Sequence, residues 1–109
     1  MAIKIDIFSK NIELNPALRE FIEEKLGSLD RYIPGLADIR VEIARPSKHH
    51  RSGHVFYAEA NVKLGGKVLR AQAHHLDLHS AIIDVRDELK ELIKKFKEKR
   101  ADSARKPRK

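Results

Sequence analysis

The sequence predicts an α+β fold: a β-α-β-β-β-α two-layer sandwich, with both helices on one face of a four-stranded sheet. Three patterns carry that prediction. Two alternating stretches, "IKIDIF" and "ADIRVEIARP", flank a segment whose apolar residues recur at helical spacing. Two further stretches, "HVFYAEANVKL" and "KVLRAQAHH", match each other across Gly65-Gly66. A long helical stripe then closes the domain.

In chain order, Ile3, Ile5 and Ile7 alternate with polar neighbours and predict a half-buried strand over about 3–9. Asn15 is placed to cap a helix whose first position is Pro16, where a missing N–H costs nothing. Leu18, Ile22, Leu26, Leu29 and Ile33 form one stripe. Gly27 interrupts it, and Pro34-Gly35 ends it. Ile39, Val41 and Ile43 mark a second strand, which Pro46 stops, and "SKHHRSGH" reads as a loop. Closing the hairpin at Leu64 and Lys67 pairs Val62 with Leu69, Ala60 with Ala71 and Ala58 with Ala73 on one face. The other face pairs Asn61 with Arg70 and Glu59 with Gln72, so one face is apolar and the other polar. Asp77 is the expected N-cap of the last helix. Leu78, Ile82, Val85, Leu89, Leu92, Ile93 and Phe96 form its stripe to about residue 100. A domain over 1–100 and a disordered basic tail over 101–109, "ADSARKPRK", are expected. A β-α-β crossover makes the first two strands parallel, and the later strands follow as a meander.

The chain has 109 residues, 41% of them apolar, which suits one domain with one core. It contains no cysteine, so disulfides and thiolate metal sites are excluded. No signal-peptide core and no run of about 20 apolar residues is present, and a cytoplasmic location without membrane contact is expected.

Net charge is +7, and it is unevenly placed: residues 1–79 hold 12 basic and 10 acidic groups, residues 80–109 hold 11 and 6. On the last helix, taking Leu89 as zero, Arg86, Lys90, Lys94 and Lys97 fall between roughly +60° and +140°, with His79 in the same sector. Asp84, Asp87, Glu88, Glu91 and Glu98 take the opposite flank, and Lys95 and Lys99 lie among or beyond those acids. A helix charged for solubility alone favours opposite charges at i,i+4. Here like charges are neighbours, and each close pair costs a few tenths of a kcal/mol, about 0.2–0.5. A phosphate backbone offsets that repulsion. On the first helix Lys25 borders the apolar stripe near Phe21 and Tyr32.

Other chemistry is poorly supported. His49, His50 and His54 share a loop, and His74, His75 and His79 lie near the last strand-helix junction. Neither set has zinc-ligand spacing, and no metal or cofactor is expected. Ser47, Ser52 and Ser80 sit in no nucleophile motif, and Glu42 and Glu59 are assigned to the polar sheet face. No enzyme activity and no small-molecule substrate is expected. A basic amphipathic helix can lie on anionic lipid, but here its apolar face must cover the sheet.

The opening "IFSKNIELNPALREFIEEKL" and the stretch "ANVKLGGKVLRAQAHHLDLHSAI" resemble the ribosome hibernation-promoting factors and the related ribosome-associated translation inhibitor, many of which carry the older label of sigma-54 modulation protein. The resemblance spans residues 3 to about 100. It implies binding to small-subunit rRNA in the channel between head and body, where mRNA and the A- and P-site tRNAs lie, and repression of translation in stationary phase or stress. Carried over to this chain, the rRNA-binding positions are Lys25, Arg31, Lys90, Lys94, Lys95 and Lys97, and the helix geometry adds Arg86. The chain departs from the family pattern at "DLHSAIID", with His79 for a tyrosine and Ile83 for an aspartate, and with Glu88 and Glu91 where relatives carry basic residues. Its length and basic tail point to the short form. Whether ribosomes are also paired into dimers stays open, and so do two other readings: a general double-stranded-RNA binder and a protein-protein modulator of transcription.

Overall fold

A computed structural model describes residues 3–33, 37–45, 55–64 and 66–105. The element order is β1 (Ile3–Lys10), α1 (Pro16–Gly27), a 3-10 segment (Ser28–Tyr32), β2 (Ala37–Ala44), β3 (Phe56–Leu64), β4 (Lys67–His75) and α2 (Leu78–Arg105). The strands form one four-stranded sheet in the order β1-β2-β3-β4. β1 and β2 are parallel, with Ile5 opposite Ile39 and Ile7 opposite Val41. β2-β3 and β3-β4 are antiparallel. The hairpin register is the expected one, with Val62 opposite Leu69, Ala60 opposite Ala71 and Asn61 opposite Arg70. Gly66 has φ +83°, the left-handed region a tight hairpin turn demands of glycine. Gly65, Pro34-Gly35, Pro46 and the loop over 47–54 lie outside the described residues.

The period-2 pattern of the strands places Ile39, Val41, Ile43, Ala58, Ala60, Val62, Leu69 and Ala71 on one buried face. Leu18, Ile22 and Leu26 of α1 and Ala81, Ile82, Val85, Leu89 and Ile93 of α2 meet them there. α1 lies on β1, whereas α2 crosses β3 and β4, where Ala58, Ala60 and Ala71 let the helix approach the sheet closely. No polar side chain is buried among the described residues.

Both helix starts are capped as expected. Asn15 Oδ1 accepts from Leu18 N at 2.8 Å. Asp77 Oδ2 accepts from Ser80 N at 3.0 Å and from Ser80 Oγ at 2.8 Å, and these bonds hold the Asp77 carboxyl below the usual range.

Two boundaries differ from expectation. The first helix is not one α-helix to Pro34. It tightens after Gly27 into a 3-10 turn, with Ser28 Oγ donating to Lys25 O at 2.6 Å. Glycine is a poor helix former and serine competes for backbone partners, so the register changes there while Leu29 and Ile33 stay buried. α2 also runs to Arg105, past the end expected at about residue 100. Ala101, Ala104 and Arg105 are strong helix formers, and proline first occurs at 107. Residues 106–109 lie outside the described residues.

Candidate nucleic-acid interface

α1 and the 3-10 turn run in the same direction as α2. Phe21 meets His79 near the start of α2, their ring centroids 4.4 Å apart in an edge-on arrangement, and Tyr32 meets Lys90, eleven residues further along both segments. Each contact places a cation at the seam. Lys25 Nζ stands 5.6 Å from the Phe21 centroid, and Lys90 Nζ stands 5.4 Å from the Tyr32 centroid. Both lysines are half-buried, their stems covering apolar surface while their ammonium groups stay at the ring faces.

Between the 3-10 turn and α2 lies an open groove of about 260 Å³, lined by Ser28, Arg31, Tyr32, Arg86, Asp87 and Lys90. Three expected site residues, Arg31, Arg86 and Lys90, therefore converge on one groove from two elements. Arg86 is half-buried, and its Nε donates to Asp87 Oδ1 at 2.7 Å. That bond fixes one edge of the guanidinium and leaves its terminal amino groups for a ligand. With two guanidinium groups, an ammonium group, a hydroxyl and a phenol ring on its walls, against the single Asp87 carboxylate that Arg86 already engages, the groove is suited to a phosphate oxygen beside a planar group.

The other expected residues are placed differently. Lys94 and Lys97 are exposed on α2 and continue the row one and two turns beyond Lys90. Lys25 lies at the seam with Phe21 and His79, upstream of the groove. Lys95 is exposed about 100° around the helix from Lys94, off the row. Sequence reasoning missed Ser28 as a groove residue and assigned Asp87 to the acidic flank. Asp87 lies next to the row on the helix wheel, and that proximity was the available signal.

The open face of the sheet is polar and cross-linked. Glu59 accepts from Tyr57 Oη and from Asn61 Nδ2, the latter at 3.0 Å, and Arg70 Nε is 3.3 Å from its second oxygen. The bonds from Tyr57 and Asn61 hold the Glu59 carboxyl below its ordinary range. Burial and the hydrogen bond to Glu59 push the Tyr57 phenol up to about 12. Among the described residues, no three His, Cys, Asp or Glu side chains converge as a metal site. No helix there is long and apolar enough to cross a membrane.

A family model described as Sigma 54 modulation protein / S30EA ribosomal protein matches residues 5–101. The ribosome hibernation promotion factor of Deinococcus radiodurans is 35% identical over 89 residues, covering 81% of this chain and 46% of the relative. That of Bacillus subtilis is 30% identical over 94 residues, covering 86% and 48%. The chain thus spans about half the length of the curated relatives it matches. Among solved structures, the Thermus thermophilus Protein Y N-terminal domain superposes with a TM-score of 0.74 at 31% identity, covering 88% of this chain and 99% of that one. A ribosomal subunit interface protein from Coxiella burnetii gives 0.69 at 26% identity, covering 86% and 97%.

Proposed function

The chain belongs to the Sigma 54 modulation protein / S30EA ribosomal protein family, a family of ribosome-associated factors, and on that premise we propose that it silences ribosomes by binding small-subunit rRNA in the decoding channel. The observation that carries this reading is the convergence of Arg31, Arg86 and Lys90 on the groove at the helix seam, extended by Lys94 and Lys97 along α2. A groove with these cations accommodates the sugar-phosphate backbone of an RNA helix edge, and the exposed lysines follow that backbone outward. Lys25 reaches the same surface from α1, while Lys95 contributes from its margin. Occupation of the channel excludes mRNA and tRNA, so inhibition is steric and no reaction is catalysed. The site of action is the ribosome, and hence the cytoplasm.

Co-sedimentation with small subunits tests this. The chain is expected to pellet with them, and the pair Lys90→Glu and Lys94→Glu to abolish pelleting. Binding that survives the double reversal overturns the role of the row. Equal affinity for an arbitrary RNA duplex favours the general double-stranded-RNA reading instead. A sucrose gradient of whole ribosomes reports in the same experiment whether ribosomes are paired.

A further inference from the structure

The sheet face turned away from both helices holds a second constellation that the seam does not use. Phe8 stands out from β1, 49% exposed, which is unusual for a phenyl ring on a strand of a small domain. The guanidinium of Arg40 lies 5.1 Å from its centroid. Glu42 is the cross-strand partner of Phe8, and Arg40 is the partner of Asn61. Phe8, Arg40, Val41, Glu42 and Asn61 line an open hollow of about 420 Å³.

Most polar groups on this face are already committed. Asn61 donates to Glu59 and accepts from Arg70 Nε at 2.9 Å, and Glu59 is held by Tyr57, Asn61 and Arg70. Around the hollow, Arg40, Glu42 and Asp6 have no ion pair among the described residues; Asp6 is the cross-strand neighbour of Arg40, whose guanidinium lies over Phe8 instead. Glu42 instead lies opposite Glu59, a like-charged pairing that disfavours the sheet. The hollow therefore offers an aromatic ring, a five-donor fork held over that ring rather than in an ion pair, and a carboxylate without an ion pair among the described residues, the last two projecting from alternate positions of one strand.

We propose that this hollow binds an unpaired guanine base of single-stranded RNA. Guanine presents two acceptors, O6 and N7, on one edge and donors at N1 and N2 on the next. Arg40, swinging off the Phe8 ring, matches the acceptors, Glu42 matches the donors, and the base takes the place of the guanidinium on Phe8. The other bases fit less well. Adenine and cytosine put a ring-nitrogen acceptor against the Glu42 carboxylate, and uracil has a single ring N–H between two carbonyls. A phosphate is repelled by Glu42 and Glu59, and a lysine or arginine from a protein meets Arg40. The site lies on the opposite side of the sheet from the Arg86-Lys90 row, so it adds recognition of a strand to recognition of a backbone.

The test is an amide NMR titration of the full chain with guanosine and adenosine monophosphates, and with uracil pentanucleotides carrying one central guanine or adenine. Shifts are expected at 8, 40–42 and 61. The guanine strand should bind at least about tenfold more tightly than the adenine strand, the lower range for bidentate base readout. It should also bind more tightly than guanosine monophosphate. Glu42→Gln presents an amide where a carboxylate stood. It should bring the two strands to within about threefold of each other while the remaining spectrum is unchanged. Phe8→Ala should weaken both. Equal affinity for guanine and adenine, a preference that survives Glu42→Gln, or shifts confined to the helix seam overturns the site. A mononucleotide that binds as tightly as the strand overturns the assignment to RNA.

Discussion

Replacing Lys90 and Lys94 by glutamine removes two charges while leaving two good helix formers in place, and neither side chain belongs to the buried core. The row contains five cations, Arg31, Arg86, Lys90, Lys94 and Lys97. If each neutralises one phosphate, the logarithm of affinity falls against the logarithm of salt with a slope of about −4.5, taking the duplex value of about 0.9 per phosphate. Raising monovalent salt from about 50 to about 200 mM then weakens small-subunit binding by about 500-fold. The double variant keeps three contacts, so its slope is about −2.7 and the same step costs about 40-fold. Equilibrium co-sedimentation at several salt concentrations measures both slopes, with circular dichroism checking that α2 persists. A wild-type slope shallower than about −2, or a variant slope within about one unit of wild type, refutes the claim that the row contacts phosphates one for one.

Three further outcomes follow from the fold. Leu89 is fully buried between α2 and the sheet, so Leu89→Ala should destabilise the domain by about 2–5 kcal/mol in denaturant unfolding. Asn15→Ala removes the side-chain cap of α1 and should cost about 1 kcal/mol by the same assay. The Tyr57 phenol has an ordinary value of 10.0 and is pushed up to about 12 in the fold. The folded chain therefore keeps a proton that the unfolded chain loses. The resulting stability is fully present below pH 10 and is lost as pH rises towards 12. Tyr57→Phe should flatten that alkaline decline, and ultraviolet phenolate absorbance should lose its late-titrating component.

What the sequence made legible depended on how local the determining physics is. Strand pairing was readable to the residue in β3-β4 because a slip of one position would have put Asn61 and Arg70 in the core. Both caps were readable because capping is settled within four residues. The 3-10 turn was not: Leu26 and Leu29 eclipse at a spacing of 3.0 and lie only about 60° apart at 3.6, so the same apolar stripe fits either helix. The basic row on α2 was legible from a helix wheel, but the groove was not. The wheel carries no information on which residues of another element face Arg86 and Lys90, and Arg31, Ser28 and Tyr32 arrive there through packing of the helices on the sheet. The contact of Asp87 with Arg86 was hidden for a related reason. Its angular position is on the acidic border, but its carboxylate turns back to Arg86. The hollow around Phe8 requires three strands in register and has no linear signature.

The cations of the row are not equivalent. Arg86 is tethered by Asp87, and Lys90 rests over Tyr32. Their positions are set before any ligand arrives, and the like-charge repulsion between them is partly answered by an acid and a ring. Lys94 and Lys97 have no ion pair among the described residues and are exposed near the end of the packed part of α2, where Ile93 is buried and Phe96 still packs against the core. Ordering a free lysine costs side-chain entropy that a held one has already lost. In the proposed complex the groove end of the row contributes register, through groups that need little rearrangement. The free end contributes attraction, which acts over about a Debye length and weakens with salt. On this division, removing Asp87 should loosen the register of Arg86 without changing the salt slope, because no phosphate-neutralising cation is lost. Removing Lys97 should change the slope and leave the register intact.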